Sequence, residues 1–301
     1  MDKIDRSGET SINKEGYNVK IINYRNANDI DVLFDDGTVL NTTYRYFSKG
    51  EFRKPKNSYI GKKYLNNKGN EFEIINIIKI NNCTKYEIKF LDEYGYTKIC
   101  DLKEIKNGNI QNPYYKNIAN VGYIGVGEYR ANNSNIYNIW AKMIKRCYDI
   151  KSKDYYQYGG RGCFVCEEWH NFQNFAKWYD DNYYTIEDKN MNLDKDILIK
   201  NNKIYSPNSC IIVPDDINKL FTKNNKNRGN LPIGVIKKGD KYIANLHSVK
   251  YSKSFDTLEE AFYSYKQIKE DYIKQIADEY KDKIPRKLYD AMYKWEVEIT
   301  D

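Results

Sequence analysis

The chain has 301 residues, a formal net charge of +7 and 41% hydrophobic residues, which is enough for one large domain or two to three small ones. No apolar run approaches a membrane span, the first six residues contain no apolar signal region, and six cysteines without such a signal point to reduced thiols in a cytosol. The basic excess permits contact with nucleic acid. Only nine of the 49 basic residues are Arg, the side chain that makes bidentate contacts to bases, so any sequence-reading component is small. The 30 tyrosines, with abundant Asn, Ile and Lys, match the bias of an AT-rich genome.

Residues 8–113 contain an internal repeat. Asn13-Lys14-Glu15-Gly16, Val19 to Asn23, Ile30 to Gly37, Gly50 and Pro55 recur as Asn67-Lys68-Gly69, Phe72 to Asn76, Tyr86 to Asp92, Gly95, Gly108 and Pro113. Ile30, Val32 and Phe34, like Tyr86, Ile88 and Phe90, alternate with polar residues at the period of a half-buried strand. Asp36-Gly37 and Glu93-Tyr94-Gly95 mark hairpin turns. Each copy is expected to be an antiparallel module of three to five short strands, SH3-like, with bounds 1–57 and 58–116. Neither copy carries a catalytic constellation.

Residues 117–133 form a linker with the glycine-spaced run Val121 to Gly127. It lacks the Lys-Ser/Thr pair of a phosphate loop and is expected to be flexible or tightly turned. Ser134 caps a helix to Tyr148, with Ile136, Trp140, Met143 and Cys147 on one face and Arg146 off it. Tyr158-Gly159-Gly160-Arg161-Gly162 follows, a tight turn that presents Arg161. A strand Cys163–Cys166 and an aromatic helix from Trp169 to about Tyr179 come next. Leu193 to Ile197 is expected as a strand, Lys200 to Lys203 as a turn, Ile204 to Pro214 as the return strand, and Asp215 as the cap of a helix through Phe221. Three strands, Leu231–Val235, Lys241–Leu246 and Ser252–Phe255, then precede a helix with a Thr257/Glu260 capping box. Phe262, Tyr265, Ile268, Tyr272, Ile276 and Tyr280 fall on one face of that helix. Ile284-Pro285 breaks it, and Arg286 to Trp295 forms the last helix.

The middle third carries a specific order: Trp140, Met143, Arg146-Cys147, Tyr155, Tyr158 to Gly162, Val165-Cys166, Trp169, Phe172, Phe175, Leu193 to Asp196, Tyr205 to Pro207 and Cys210. This resembles phage-encoded HNH-endonuclease-like proteins. Residues 229–301 resemble an AP2-type three-stranded sheet followed by long helices. The resemblances imply an α+β multidomain chain: the two β modules, an HNH-like ββα region over 134–228, and the AP2-like part. They also imply a host cytoplasm as the place of action.

An HNH nuclease needs a base, usually His, and a divalent metal held by His, Asn or Asp. The resemblance puts the base in the strand Asp194-Lys195-Asp196, where this chain has Lys195, protonated at neutral pH. Asn208 is one residue out of register for the motif's Asn, and only Asn218 or Asn224 stands near the position of its final His. The two histidines are His170 and His247. Asp194, Asp196, His170 and Arg161 are the remaining candidates for an unorthodox catalytic site with Mg²⁺. Cys147, Cys163, Cys166 and Cys210 are candidates for zinc, although buried cysteines also serve as small apolar residues. Candidate binding residues are Arg146, Tyr158, Arg161, Lys195, Lys237 and Lys241.

Two functions follow. The first is a non-catalytic phage protein, similar in size and assembly of modules to an inhibitor of Gabija anti-phage defence, without cofactor. It binds a host defence complex or, as the alternative ligand, DNA, and forms a homo-oligomer through its aromatic C-terminal helices. The second is a metal-dependent homing-type endonuclease that nicks DNA.

Overall fold

A computed structural model describes residues 5–55, 59–81, 83–132, 134–222 and 231–301. It is a mixed α+β structure in two compact units, Met1–Tyr115 and Lys116–Asp301. Asn224, one candidate for the motif's last position, lies outside the described residues.

In the first unit, β1 (Thr10–Ile12), β2 (Asn18–Asn26), β3 (Asp29–Phe34) and β4 (Val39–Thr42) form an antiparallel sheet in sequence order, followed by helix α1 (Tyr44–Ser48). The second copy repeats this with β5 (Lys63–Leu65), β6 (Glu71–Ile80), β7 (Cys83–Phe90), β8 (Thr97–Cys100) and α2 (Leu102–Lys106). The alternating residues turn inward: Ile30, Val32 and Phe34 are buried in one core, and Tyr86, Ile88 and Phe90 in the other. Both copies share one register slip at the same place, between Ile21 and Asn23 and between Ile74 and Asn76, and the first copy slips again between Tyr24 and Asn26.

The repeat extends to single hydrogen bonds. Buried Asn13 accepts from the amides of Glu15 and Tyr17 and donates to the Phe52 carbonyl at 3.2 Å. Asn66 accepts from the amides of Lys68 and Asn70 and donates to the Ile110 carbonyl at 2.9 Å. Beside each, a glycine, Gly50 or Gly108, holds φ +64 with backbone so close that a Cβ would stand 2.7 or 3.1 Å from a carbonyl oxygen. Only glycine combines that φ with that approach.

The second unit opens with the glycine-spaced run, tightly turned. The amide of Tyr123 donates to the His170 carbonyl and that of Phe172 to the Tyr123 carbonyl, both at 2.9 Å. Buried Gln173 donates to the Ile124 and Tyr129 carbonyls at 3.3 and 2.9 Å and accepts from the Tyr129 amide at 3.0 Å. Ile118, Val121, Ile124 and Tyr129 pack on the core beneath.

That core lies between α3 (Asn135–Tyr148), capped by Ser134, and α4 (Phe172–Asn182). Trp140, Trp169, Phe172 and Phe175 are fully buried, and the Trp140 indole donates to the Trp169 carbonyl at 2.7 Å. The aromatic helix starts later than its apolar pattern suggested. Trp169 and His170 lie in a 3₁₀ turn, Glu167–His170, and Asn171 caps α4 by accepting from the Gln173 amide. Between α3 and α4 the strand is Phe164–Val165 (β9).

The expected hairpin is also revised. β10 (Met191–Asp194) ends at Asp194, because its carboxylate bends back to accept from the amides of Asp196 and Ile197 at 2.7 and 2.8 Å, a side-chain turn that competes with the ladder. The return is in two pieces. β11 (Ile204–Tyr205) pairs in parallel with β9, and only β12 (Ile211–Pro214) pairs antiparallel with β10. Helix α5 (Asp215–Phe221) begins after Pro214. Asp215 does not cap it but is its first residue, paired with Lys219 and accepting from Asn192.

The last sheet comprises β13 (Val235–Lys238), β14 (Lys241–Leu246) and β15 (Tyr251–Phe255), antiparallel in that order. Its first strand is displaced from Leu231–Val235, since the Val235 amide closes a turn on the Pro232 carbonyl. The Thr257/Glu260 capping box opens α6 (Leu258–Glu279), and α7 (Arg286–Tyr293) follows Pro285. Phe262 and Tyr265 pack on the sheet with Ile268 and Tyr272. Ile276 and Tyr280 pack elsewhere: buried Ile273, Ala277, Leu288 and Met292 of α6 and α7 join Ile197, Ile211, Val213 and Ile217 in one core. The part of the α6 face beyond the sheet is therefore covered by β12, α5 and α7. Among the described residues, no helix is long and apolar enough to cross a membrane.

Candidate functional site

The YGGRG turn is built by contact and by torsion. A Cβ on Gly159 would fall 2.1 Å from the Cys147 carbonyl oxygen, so the turn can press on the end of α3 only without a side chain. Gly162 holds φ +79 and reverses the chain into β9. Between them, Arg161 projects exposed from a 3₁₀ turn.

That turn forms one wall of a cleft of about 530 Å³. Arg146, Tyr158, Arg161 and Cys163 line it from α3, the turn and the residue before β9; Asp194, Lys195 and Asp196 from the end of β10 and the turn after it; Lys200, Asn202 and Lys203 from the loop into β11, and Tyr205 from β11 itself. Asn218 and Phe221 of α5, with Trp295, Thr300 and Asp301, close the other side. Six of the expected catalytic and binding residues, Arg146, Tyr158, Arg161, Asp194, Lys195 and Asp196, thus meet at one place. His170 is not in the cleft. Its Nε2 lies 3.2 Å from the Val165 carbonyl oxygen and 3.4 Å from the Tyr148 hydroxyl, and burial depresses its pKa. Lys237 and Lys241 lie on the β13–β14 hairpin, Lys237 over the Tyr242 ring and Lys241 paired with Asp256.

Lys195 is buried. Its Nζ donates to both Asp196 oxygens at 2.7 and 2.8 Å and to the Asn202 carbonyl at 2.7 Å. All three of its donors are committed. Asn202 in turn donates to the Lys195 and Ile204 carbonyls, stapling the loop between β10 and β11. Burial raises the Asp194 carboxyl above its ordinary range, against the pull of its two amide donors. Lys200 pairs with Asp301 at 2.9 Å and donates to the Glu296 carbonyl at 2.8 Å, holding the 295–301 segment against the cleft.

Arg146 behaves differently. Its guanidinium carbon lies 4.5 Å from the ring centroids of both Tyr158 and Tyr205, a favourable cation–π arrangement. Its Nε–H is buried without a hydrogen-bond partner. Among the described residues Arg146, Arg161 and Lys203 have neither an ion pair nor a side-chain hydrogen bond. Among the described residues the three lining carboxyls, Asp194, Asp196 and Asp301, all accept hydrogen bonds from within the protein.

The cysteine candidates are structural in their surroundings. Cys147, Cys163 and Cys210 are buried, and Cys166 is half-buried. Burial pushes the Cys147 thiol up to about 11 and the Cys210 thiol up to about 12. Among the described residues no three His, Cys, Asp or Glu side chains are gathered in an arrangement that could hold a metal ion.

Sequence reasoning missed Tyr205 as the second ring under Arg146, and it missed Lys203, Asn202 and Trp295. Tyr205 stood in the motif, but nothing in its spacing tied it to Arg146, 59 positions earlier. Compared with protein-family models, with curated proteins and with solved structures, the chain matches none.

Proposed function

We propose that this chain acts by binding and not by hydrolysis: a phage counter-defence protein that uses a nuclease-like scaffold, HNH-like at its centre and AP2-like after it, to engage and inhibit a host anti-phage complex of the Gabija kind. The observation that carries the non-catalytic half is Lys195. Where a nuclease of the resembled type needs a proton acceptor, this chain holds a buried ammonium with every donor used. His170, the nearest histidine in the motif, lies outside the cleft. The tandem modules, read as SH3-like, supply two similar surfaces for protein contact. The test mixes the purified chain with a purified Gabija-type complex. One stable co-eluting assembly with suppressed nuclease activity is expected, and independent elution with undiminished activity overturns the reading.

A second reading, a metal-dependent nickase, is favoured by one observation: Asp194, Asp196 and Arg161 line the same cleft. Supercoiled plasmid with Mg²⁺ or Mn²⁺ separates the two. Nicking that disappears in Asp194→Ala supports the nickase, and plasmid left closed supports binding alone.

A further inference from the structure

We infer that the cleft is a binding pocket for a compact phosphate ester, a mononucleotide or the phosphorylated end of a strand, held by Arg146, Arg161 and Lys203. The inference stands independently of the host partner, and either can fail without the other.

The charge pattern comes first. Five cationic side chains and three carboxyls line the pocket. The carboxyls are occupied from within: Asp196 by Lys195, Asp194 by two backbone amides, and Asp301 by Lys200 and the Glu298 amide. Arg146, Arg161 and Lys203 remain, brought to one space from α3, the glycine turn and the loop before β11. Three cations from three elements suit a ligand with two negative charges and several acceptor oxygens, which a phosphate monoester supplies. Arg146 is the anchor. Two tyrosine rings fix the plane of its guanidinium, so little side-chain freedom is lost when it meets an anion.

Shape selects the ligand. The volume of about 530 Å³ falls in the range of small-molecule sites, roughly 300–1,000 Å³. Its far wall is a segment distant in sequence. Trp295 stacks edge-on against Phe221 at 4.6 Å, and Lys200 ties down Glu296 and Asp301. That volume suits a single nucleotide or a strand end and is too small to enclose a duplex. Tyr158 and Trp295 stand in the lining, each with a cation over its ring, Arg146 and Lys200.

The test is calorimetric titration of the full chain with inorganic phosphate, AMP, a six-nucleotide single strand with and without a 5′-phosphate, and a 20-base-pair duplex with hydroxyl ends. Phosphate and AMP are expected to bind, and the 5′-phosphate to tighten the single strand at least tenfold. AMP stronger than the phosphorylated strand identifies a free nucleotide as the ligand, and the reverse order identifies a strand end. Arg161→Ala and Lys203→Ala, both exposed and unpaired, are expected to fold normally and together weaken phosphate binding at least tenfold. Arg146→Gln is expected to abolish it, and Lys103→Ala on α2 to leave it unchanged. Absence of phosphate and AMP binding, no effect of the 5′-phosphate, or tightest binding to the hydroxyl-ended duplex overturns the pocket.

Discussion

Lys195 grips both carboxylate oxygens of its sequence neighbour Asp196, at 2.7 and 2.8 Å, from a buried position. Adjacent residues on a regular strand point to opposite faces, so this pairing exists only because β10 has already ended. The Asp196 side chain is partly solvated, so removing the lysine does not strand a fully buried charge. Lys195→Ala is expected to destabilise the chain by about 1–3 kcal/mol. Lys195→Met, which retains the aliphatic stem, is expected to lose less. Urea denaturation followed by tryptophan fluorescence measures both, and an unchanged midpoint for Lys195→Ala contradicts a structural role for the pair.

The Asp194 carboxyl, raised by burial, gives a pH signature. The folded chain holds that proton more tightly than the unfolded chain. Stability on this account is greatest below the ordinary carboxylate range and is lost as pH climbs through the raised value. Asp194→Asn keeps an oxygen for the two amide donors and removes the charge. Its melting temperature is expected to equal or exceed the parent's at pH 7, with the difference vanishing toward pH 3. Asp194→Ala loses the turn and should melt lower at both.

His170 has the opposite sign. Burial depresses its pKa, opposed by the Val165 carbonyl, so the unfolded chain takes up a proton that the folded chain refuses. This part of the stability is present above the ordinary imidazole value of about 6.5 and is lost as pH falls through the depressed one. The parent is expected to lose melting temperature between pH 7.5 and 5.5 more steeply than His170→Gln. Parallel curves would remove His170 as the source.

Gln173 ties the glycine-spaced run to α4 through three hydrogen bonds. Gln173→Leu fills the volume but leaves partly buried backbone groups of Ile124 and Tyr129 without their partner. A loss of about 1–3 kcal/mol is expected, with faster amide exchange over residues 121–130. A linker without structure would tolerate the change.

The duplicated asparagines predict paired effects. Asn13→Ala removes three side-chain hydrogen bonds at its closing turn and Asn66→Ala four at the equivalent one. Each is expected to cost about 1–3 kcal/mol, with loss of amide protection confined to its own copy. Protection lost equally in both copies would mean that the two sheets open together.

The amino-acid sequence alone determined what depends on near neighbours. The alternation in Ile30, Val32, Phe34 and in Tyr86, Ile88, Phe90 specified the strands, Ser134 and the Thr257/Glu260 box specified where helices begin, and the repeat specified two copies of one module. Local sterics and local hydrogen bonds set these features, and both are written in short windows. The ends of β10 and α4 escaped it, because short polar side chains, Asp194 and Asn171, captured backbone amides that the apolar pattern had assigned to a strand or a helix. Only the tertiary structure decided the cleft. It brought Tyr205 under Arg146, set Trp295 against Phe221, and used Lys195 and Lys200 to neutralise carboxyls while leaving Arg146, Arg161 and Lys203 unspent. Which charges cancel depends on distances across the fold, and residue type alone does not contain them.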